Sequence, residues 1–352
     1  MQTDIRIALT HSVLLMVCYI LPLSLLIMFL DRRLSSFLVA RRRFPFAESP
    51  PMRSSGLFRP LLARFVSQLF KQWWRADNGM RGIHTLAPIM RLTIALTLFL
   101  ALPISQLAKP STSVALIRGD SPLIFSLGLM CLGILAYLVG SWSSESSAHV
   151  YAGLKASLRA CAYLVPIILA VVGILIFSGS ADLSQIVVAQ RLRVLDPLPA
   201  WGLFAQPVGA LLFLIASLSR LIHGSLNPSY AQDEKHALVS YASWGAGAFH
   251  YSCYLELLAF AGLFATMFLG GYELPGLFVD GQLLHKTPSP LVAIVVGSSI
   301  LALKTLLTAV GMLMVIRTMP SPPFERSLSI AWKALLPLGV LNIGISTALM
   351  IY

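Results

Sequence analysis

Residues 289–316 read SPLVAIVVGSSILALKTLLTAVGMLMVI, a run whose single charge is Lys304 and which Arg317 closes. A strand or a buried globular helix has no use for so long an apolar stretch. An α-helix of roughly 20 such residues crosses a hydrocarbon layer about 30 Å thick. Lipid offers backbone groups no hydrogen-bond partner, so the stretch must satisfy them internally as a helix. Seven more stretches read the same way: 8–30, 86–105, 121–140, 160–178, 200–222, 253–271 and 329–351. The 352 residues are 57% hydrophobic and 11% charged, far from the composition of a soluble domain. The expectation is an all-α integral membrane protein, a bundle of about eight transmembrane helices forming one domain over 1–352. Asp31-Arg32-Arg33 closes the first stretch like a stop-transfer flank, so that stretch is read as a retained span rather than a signal peptide.

The connecting segments are charged unequally. With the adjoining span ends, those after spans 1, 3, 5 and 7 carry 18 Lys/Arg against 7 Asp/Glu, whereas the N-terminal tail and the others carry 6 against 6. The basic side is expected to face the cytoplasm or an organelle's matrix, with both termini on the opposite, periplasmic or intermembrane, side. The first loop, 31–85, holds eleven Lys/Arg, and attraction to anionic headgroups accounts for many of them. Within it Leu61, Leu62, Phe65, Val66, Leu69, Phe70 and Trp73 recur at helical spacing. This predicts an amphipathic interfacial helix at about 58–75, a membrane-surface element or a dock for a cytoplasmic subunit.

Metal and redox motifs are missing. Cys18, Cys131, Cys161 and Cys253 lie far apart and read as small buried residues, with no CxxC and no Cys/His ligand spacing. His11, His84, His149, His223, His236, His250 and His285 share no ligand spacing and read as interfacial. There is no phosphate-cradling glycine loop or dinucleotide fingerprint, and nothing points to nucleic acid. Redox cofactors, if the chain serves such chemistry, belong to partners. No internal repeat is visible, against the duplicated halves of many transporters.

Charges within spans are the candidates for function. Lys304 lies near the middle of span 7, too far from either end to snorkel, and an ionised lysine there must face protein or water. Glu256 opens span 6 as an interfacial carboxylate or the entry of a polar path. Arg91, one turn into span 2 after Pro88, anchors that span or joins the other two in a sparse polar axis.

Several stretches resemble one family. Trp142-Ser143-Ser144 followed by Gly153 to Tyr163 with Lys155-Ala156-Ser157 is similar to its WSS…RAS…YE stretch. Phe70-Lys71 with Thr85-Leu86-Ala87-Pro88, the Ala302-Leu303-Lys304-Thr305 run, and Arg317…Trp332-Lys333…Leu336-Pro337…Asn342 resemble it too. The family is the H subunit of respiratory complex I, NADH:quinone oxidoreductase. The resemblance implies a chain that joins the quinone-binding peripheral arm to the antiporter-like membrane arm. Quinone would then bind at the interface with partner subunits, and iron–sulfur clusters and flavin would reside in partners. Peripheral quinone-module subunits, small and antiporter-like membrane subunits and lipid would be the partners, in a bacterial cytoplasmic or mitochondrial inner membrane. By position, the resemblance assigns Asp31, Arg32, Arg33, Pro50, Arg53, Phe70 and Lys71 to the quinone region. It assigns Glu256, Lys304, Asp233, Glu234 and Arg91 to what remains of an ion path, with no catalytic residue or metal site in the chain itself.

The departures are chemical. The family's GPNR pattern falls on Ser49-Pro50-Pro51-Met52, with Arg53 just beyond. Leu164 replaces the glutamate after the tyrosine of span 4. In loop 5 only Asp233, with Glu234 beside it, keeps an acid in register, and the following EY pair becomes Ser243-Trp244. Loop 7 has Pro320-Ser321-Pro322-Pro323 where the family has arginines. Carboxylates near a membrane interior hold and release protons as fields change, so their loss removes that capacity. Two other readings stay open. One is a scaffold or anchor of a related hydrogenase or of an ion or inorganic-carbon transport assembly. The other is a stand-alone carrier or lipid-binding protein.

Overall fold

A computed structural model describes residues 19–35, 81–103, 105–106, 113–114, 121–144, 146–190, 193–195, 198–199, 201–222, 241, 244–274, 278–279, 282–283, 290–320 and 322–351. Almost all of them are helical. Helix α1 covers residues 19–35, followed by α2 Arg81–Leu98, which a 3-10 turn Phe99–Ala101 extends. Next come α3 Pro122–Trp142, α4 Ser147–Ser178, α5 Leu183–Ala189, α6 Gly202–Ala205 and α7 Pro207–Ile222. The chain continues through α8 Trp244–Phe268, α9 Pro290–Thr318 and α10 Phe324–Ile330. A π-helical segment, Ala331–Leu335, then leads without a break into α11 Leu336–Ile351. Three short antiparallel pairs, Ser105–Gln106 with Ser113–Val114, Arg193–Leu195 with Leu198–Pro199 and Phe278–Val279 with Gln282–Leu283, sit in the second, fourth and sixth loops.

Among the described residues six helices are long and apolar enough to cross a membrane, and α7, at 16 residues, is a shorter apolar helix. This is an all-α integral membrane protein, as the apolar runs predict. Helix α8 is its axis. It packs against α2, α9 and α7, and 94% of its most apolar window is buried, against 22% for Phe324–Met350. Helices α2, α3 and α4 follow one another in contact, and α4 in turn packs on α7 and α11. Much of the exposed surface is therefore Leu, Ile and Val, such as Leu303, Leu307 and Leu349, a surface made for lipid or neighbouring helices.

Boundaries differ from the expected ones where helices run past the apolar stretch. Helix α4 begins at Ser147, so the Lys155-Ala156-Ser157 motif, expected in a loop, is helical. At 32 residues it is about 48 Å long, more than a bilayer core requires. Gly153 lets it touch α3, since a Cβ there would lie 1.7 Å from Ser141 Oγ. The expected span 200–222 is broken at Gln206, which ends α6 before Pro207 starts α7. Cys131 and Cys161 are exposed on the outer surface rather than buried, because lipid tolerates a thiol as well as a core does. The expected amphipathic helix, with Pro50, Arg53, Phe70 and Lys71, lies outside the described residues, as do Asp233 and Glu234.

Candidate functional site

Among the described residues, three clusters of charge stand out within the bundle. The first ties the ends of α1 and α9. Asp31, 2% exposed, accepts from Arg317 Nε at 2.7 Å through Oδ1 and from Arg317 Nη2 through Oδ2. Tyr254 of α8 donates to Oδ2 at 2.7 Å. Two oxygens facing a planar guanidinium form the bidentate pairing that arginine makes best. The carboxylate thus joins the helix entering the first loop, the helix entering the seventh and the helix leaving the fifth. Tyr19 reaches Thr305 and Ser24 meets the Tyr251 hydroxyl at 2.7 Å, which seats α1 on α8 and α9. Arg32 and Arg33, read from the sequence with Asp31, are exposed, and Arg33 stacks over Phe29.

The second cluster is an Arg–Glu–Arg triad. Glu256 is the thirteenth residue of α8, midway along it, and not at its opening as expected, because the helix already begins at Trp244. Its Oε2 accepts from Arg91 Nη2 of α2. Its Oε1 accepts from Arg220 of α7, from Nε at 3.2 Å and Nη2 at 2.7 Å. Arg91 also donates from Nη1 to the Gly133 carbonyl at 2.7 Å, and Arg220 from Nη2 to the Met130 carbonyl at 3.3 Å, both on α3. A Cβ at 133 would lie 2.8 Å from Arg91 Nη1, so glycine there lets the guanidinium approach the helix backbone. The Phe260 ring, 5.6 Å from the Arg220 guanidinium, covers it. Arg91 is therefore no mere anchor.

The third cluster surrounds Lys304. Helix α8 stops at Phe268, and Gly270 and Gly271 take positive φ, 71° and 52°, turning the chain and freeing its last carbonyls. Lys304 Nζ donates to Leu269 O at 2.6 Å and Glu273 O at 2.5 Å, and lies 4.9 Å from the Trp201 ring. A cation at a helix C-terminus meets the negative end of the dipole. Beside it Gln190 works as a splint. Its Nε2 donates to Thr266 O and Met267 O, and its Oε1 accepts from the Gly202 and Gly270 N–H groups. Gln206, at the other break, donates to Gly173 O at 2.7 Å and to Ser346.

The structure thus brings Arg91 and Glu256 together and leaves Lys304 apart. Leu269 lies thirteen positions after Glu256, just past the end of α8 and about 20 Å along it. Tyr254 and Glu256 look to different sides of α8, towards α1 and α9 in one case and α2 and α7 in the other. Sequence reading missed Arg220, which stands two residues from the end of an expected span and counts there as a flanking charge. It also missed Arg317 as the partner of Asp31, and a fourth polar group. There, His84 Nδ1 meets Ser143 Oγ at 3.1 Å and its ring stacks on Tyr241 at 4.0 Å. The Tyr241 hydroxyl donates to Gly140 O at 3.1 Å, and burial, opposed by the Ser143 hydrogen bond, leaves this phenol pushed up to about 12. Among the described residues no group of three or more His, Cys, Asp or Glu is placed to hold a metal ion.

Residues 10–347 match the family model described as NADH dehydrogenase. The chain is 28% identical over 325 residues to NADH-quinone oxidoreductase subunit 8 of Rhodothermus marinus, covering 90% of this chain and 89% of that protein. It is 28% identical to the NADH-quinone oxidoreductase H subunit of Anoxybacillus flavithermus, covering 76% and 72%. With the F(420)H(2) dehydrogenase H subunit of Methanosarcina mazei it shares 23% identity, covering 83% and 81%. The apolar bundle, the Lys304 and Asn342 motifs and this match over nearly the whole length agree: the chain belongs to the NADH dehydrogenase family.

Proposed function

We propose that this chain is the H-type membrane subunit of a complex I-like oxidoreductase, joining a quinone-reducing peripheral arm to further membrane subunits. The observation that carries the reading is the Asp31–Arg317–Tyr254 cluster. It gathers the roots of the first, fifth and seventh loops at one end of the bundle, where the resemblance puts the quinone region. A rigid floor under those loops is what a docked subunit and a quinone headgroup need. The relatives carry the names of both an NADH-quinone enzyme and an F(420)H(2) dehydrogenase, which fits a subunit that leaves the electron donor to its partners. The basic loops face the cytoplasm in this reading, and flavin and iron–sulfur clusters belong to the peripheral subunits.

A second reading, scaffold or anchor in a related assembly, draws on the triad: a glutamate bound by two arginines, with Leu164 in place of a carboxylate, is poorly equipped to relay protons. An affinity-tagged chain extracted gently from its native membrane separates the readings. Co-purification with iron–sulfur and antiporter-like subunits, and quinone-dependent NADH or F(420)H(2) oxidation by the complex, supports the first. Hydrogenase subunits or a complex without quinone supports the second. A stable, active monomer refutes both.

A further inference from the structure

We infer that Gln206, Asn342 and Ser346 hold one buried water molecule between α4, α7 and α11, beside Gly173. The site is built of side chains that lipid cannot serve: Gln206 is 3% exposed, Asn342 2% and Ser346 4%. Among the described residues Gln206 Oε1 and Asn342 Nδ2 are both buried without a hydrogen-bond partner. One is an acceptor and the other a donor, yet they do not bond to each other. They do converge on one place. The point where a Cβ of residue 173 would stand is 2.3 Å from Asn342 Nδ2 and 3.3 Å from both Gln206 Oε1 and Ser346 Oγ. A side chain at 173 would collide with the Asn342 amide. Glycine at 209 likewise admits that amide, whose Oδ1 lies 2.9 Å from where a Cβ of 209 would be.

Chemistry selects the ligand. Gln206 Nε2 donates to the Gly173 carbonyl, which can only accept, so Oε1 is the atom left over. Ser346 Oγ accepts a bond from Gln206 and donates to the Asn342 backbone carbonyl, which leaves it one lone pair. A water that donates to Gln206 Oε1 and Ser346 Oγ and accepts from Asn342 Nδ2 makes about three hydrogen bonds, the usual number for a buried one. A cation would meet the Asn342 N–H head-on, and an anion would meet the Gln206 oxygen. An apolar group would leave both polar atoms unsatisfied, at a cost that lipid does nothing to relieve. Gly173 lies five residues before the end of α4, about 8 Å along the helix, so an aqueous boundary is near. The water thereby ties the final helix to α4 and α7 at the level of the break before Pro207.

The test is a cryo-electron microscopy map, sharp enough to show ordered waters, of the protein purified with whatever subunits accompany it. A peak within about 3 Å of both Gln206 Oε1 and Asn342 Nδ2 is expected, in sodium and potassium buffers alike. The two side chains in direct hydrogen bond, with no density between them, would overturn the inference. So would a peak that is present in sodium and lost in potassium, which would be a cation. In Asn342→Leu the peak should disappear, and a peak that persists there unmoved would remove Asn342 from the site and refute it as drawn. Should that variant fail to assemble, the wild-type map alone decides. No outcome depends on the electron donor or partner set, so failure here leaves the proposed function standing.

Discussion

Replacing Asp31 by asparagine keeps the shape of the side chain and removes the charge that three donors share. Removing one partner of a buried ion pair costs about 3–5 kcal/mol, chiefly because the other charge is left buried and unpaired. Arg317 keeps 13% side-chain exposure and the amide retains one acceptor, so a cost at or just below the lower limit of that range, about 2–3 kcal/mol, is expected. Tyr254→Phe loses one hydrogen bond to a charged acceptor, about 1.5–3 kcal/mol. Because both changes act on one carboxylate, the double variant should cost less than their sum by at least about 0.5 kcal/mol. Unfolding of the purified chain in mixed micelles titrated with a denaturing detergent, followed by helical circular dichroism, measures all three. Single changes that each stay within about 0.5 kcal/mol of wild type, or strict additivity, would show that the carboxylate does not organise this end of the bundle.

Lys304→Met should destabilise by about 1–3 kcal/mol for each carbonyl left without a donor, and the same titration reads it; Lys304→Arg should recover part of the loss. Gly153→Ala forces a methyl onto Ser141 and should separate α3 from α4 at that point, an effect that the small-side-chain double variant Gly153→Ala with Ser141→Gly relieves in thermal unfolding. Tyr241 ionises at about 12 in the folded chain, against about 10 when unfolded. The unfolded state sheds its proton first, so stability is full below pH 10 and falls as pH rises towards 12. Tyr241→Phe should remove that fall, and an unchanged pH slope in the variant would exclude the residue as its source.

The lipid-facing pattern is easy to read because it repeats over twenty or more residues: the runs around 122–142 and 290–318 emerge within a few positions. The ends are less legible. Helix α4 continues for thirteen residues before its expected start because Ala148, Gly153 and Ala156 are small or good helix formers without being strongly apolar. Lys304 is recognisable from sequence since an isolated lysine amid Leu and Ala has no cheap solution but an internal partner. Its partners are not, because they are backbone carbonyls, and any residue carries those. Arg220 has no signal that sets it apart from a flanking charge. Only the packing of α7 across α8 turns it inward to Glu256, and packing between residues 36 positions apart leaves no periodic trace.

The π-helical segment at Ala331–Leu335 holds about one residue more per turn than the α-helix around it. Each residue of an α-helix advances the side chains by about 100°. Were the same residues to close as an ordinary α-helix, with none deleted, everything downstream would rotate by about that angle. Asn342 and Ser346, now 2% and 4% exposed against α4 and α7, would swing out to hydrocarbon, and Leu341 and Ile345 would take their places. The wide turn works as a phase setting for the final helix, and a chain that drew it in to α-helical pitch would keep its hydropathy profile yet present the wrong side to its neighbours.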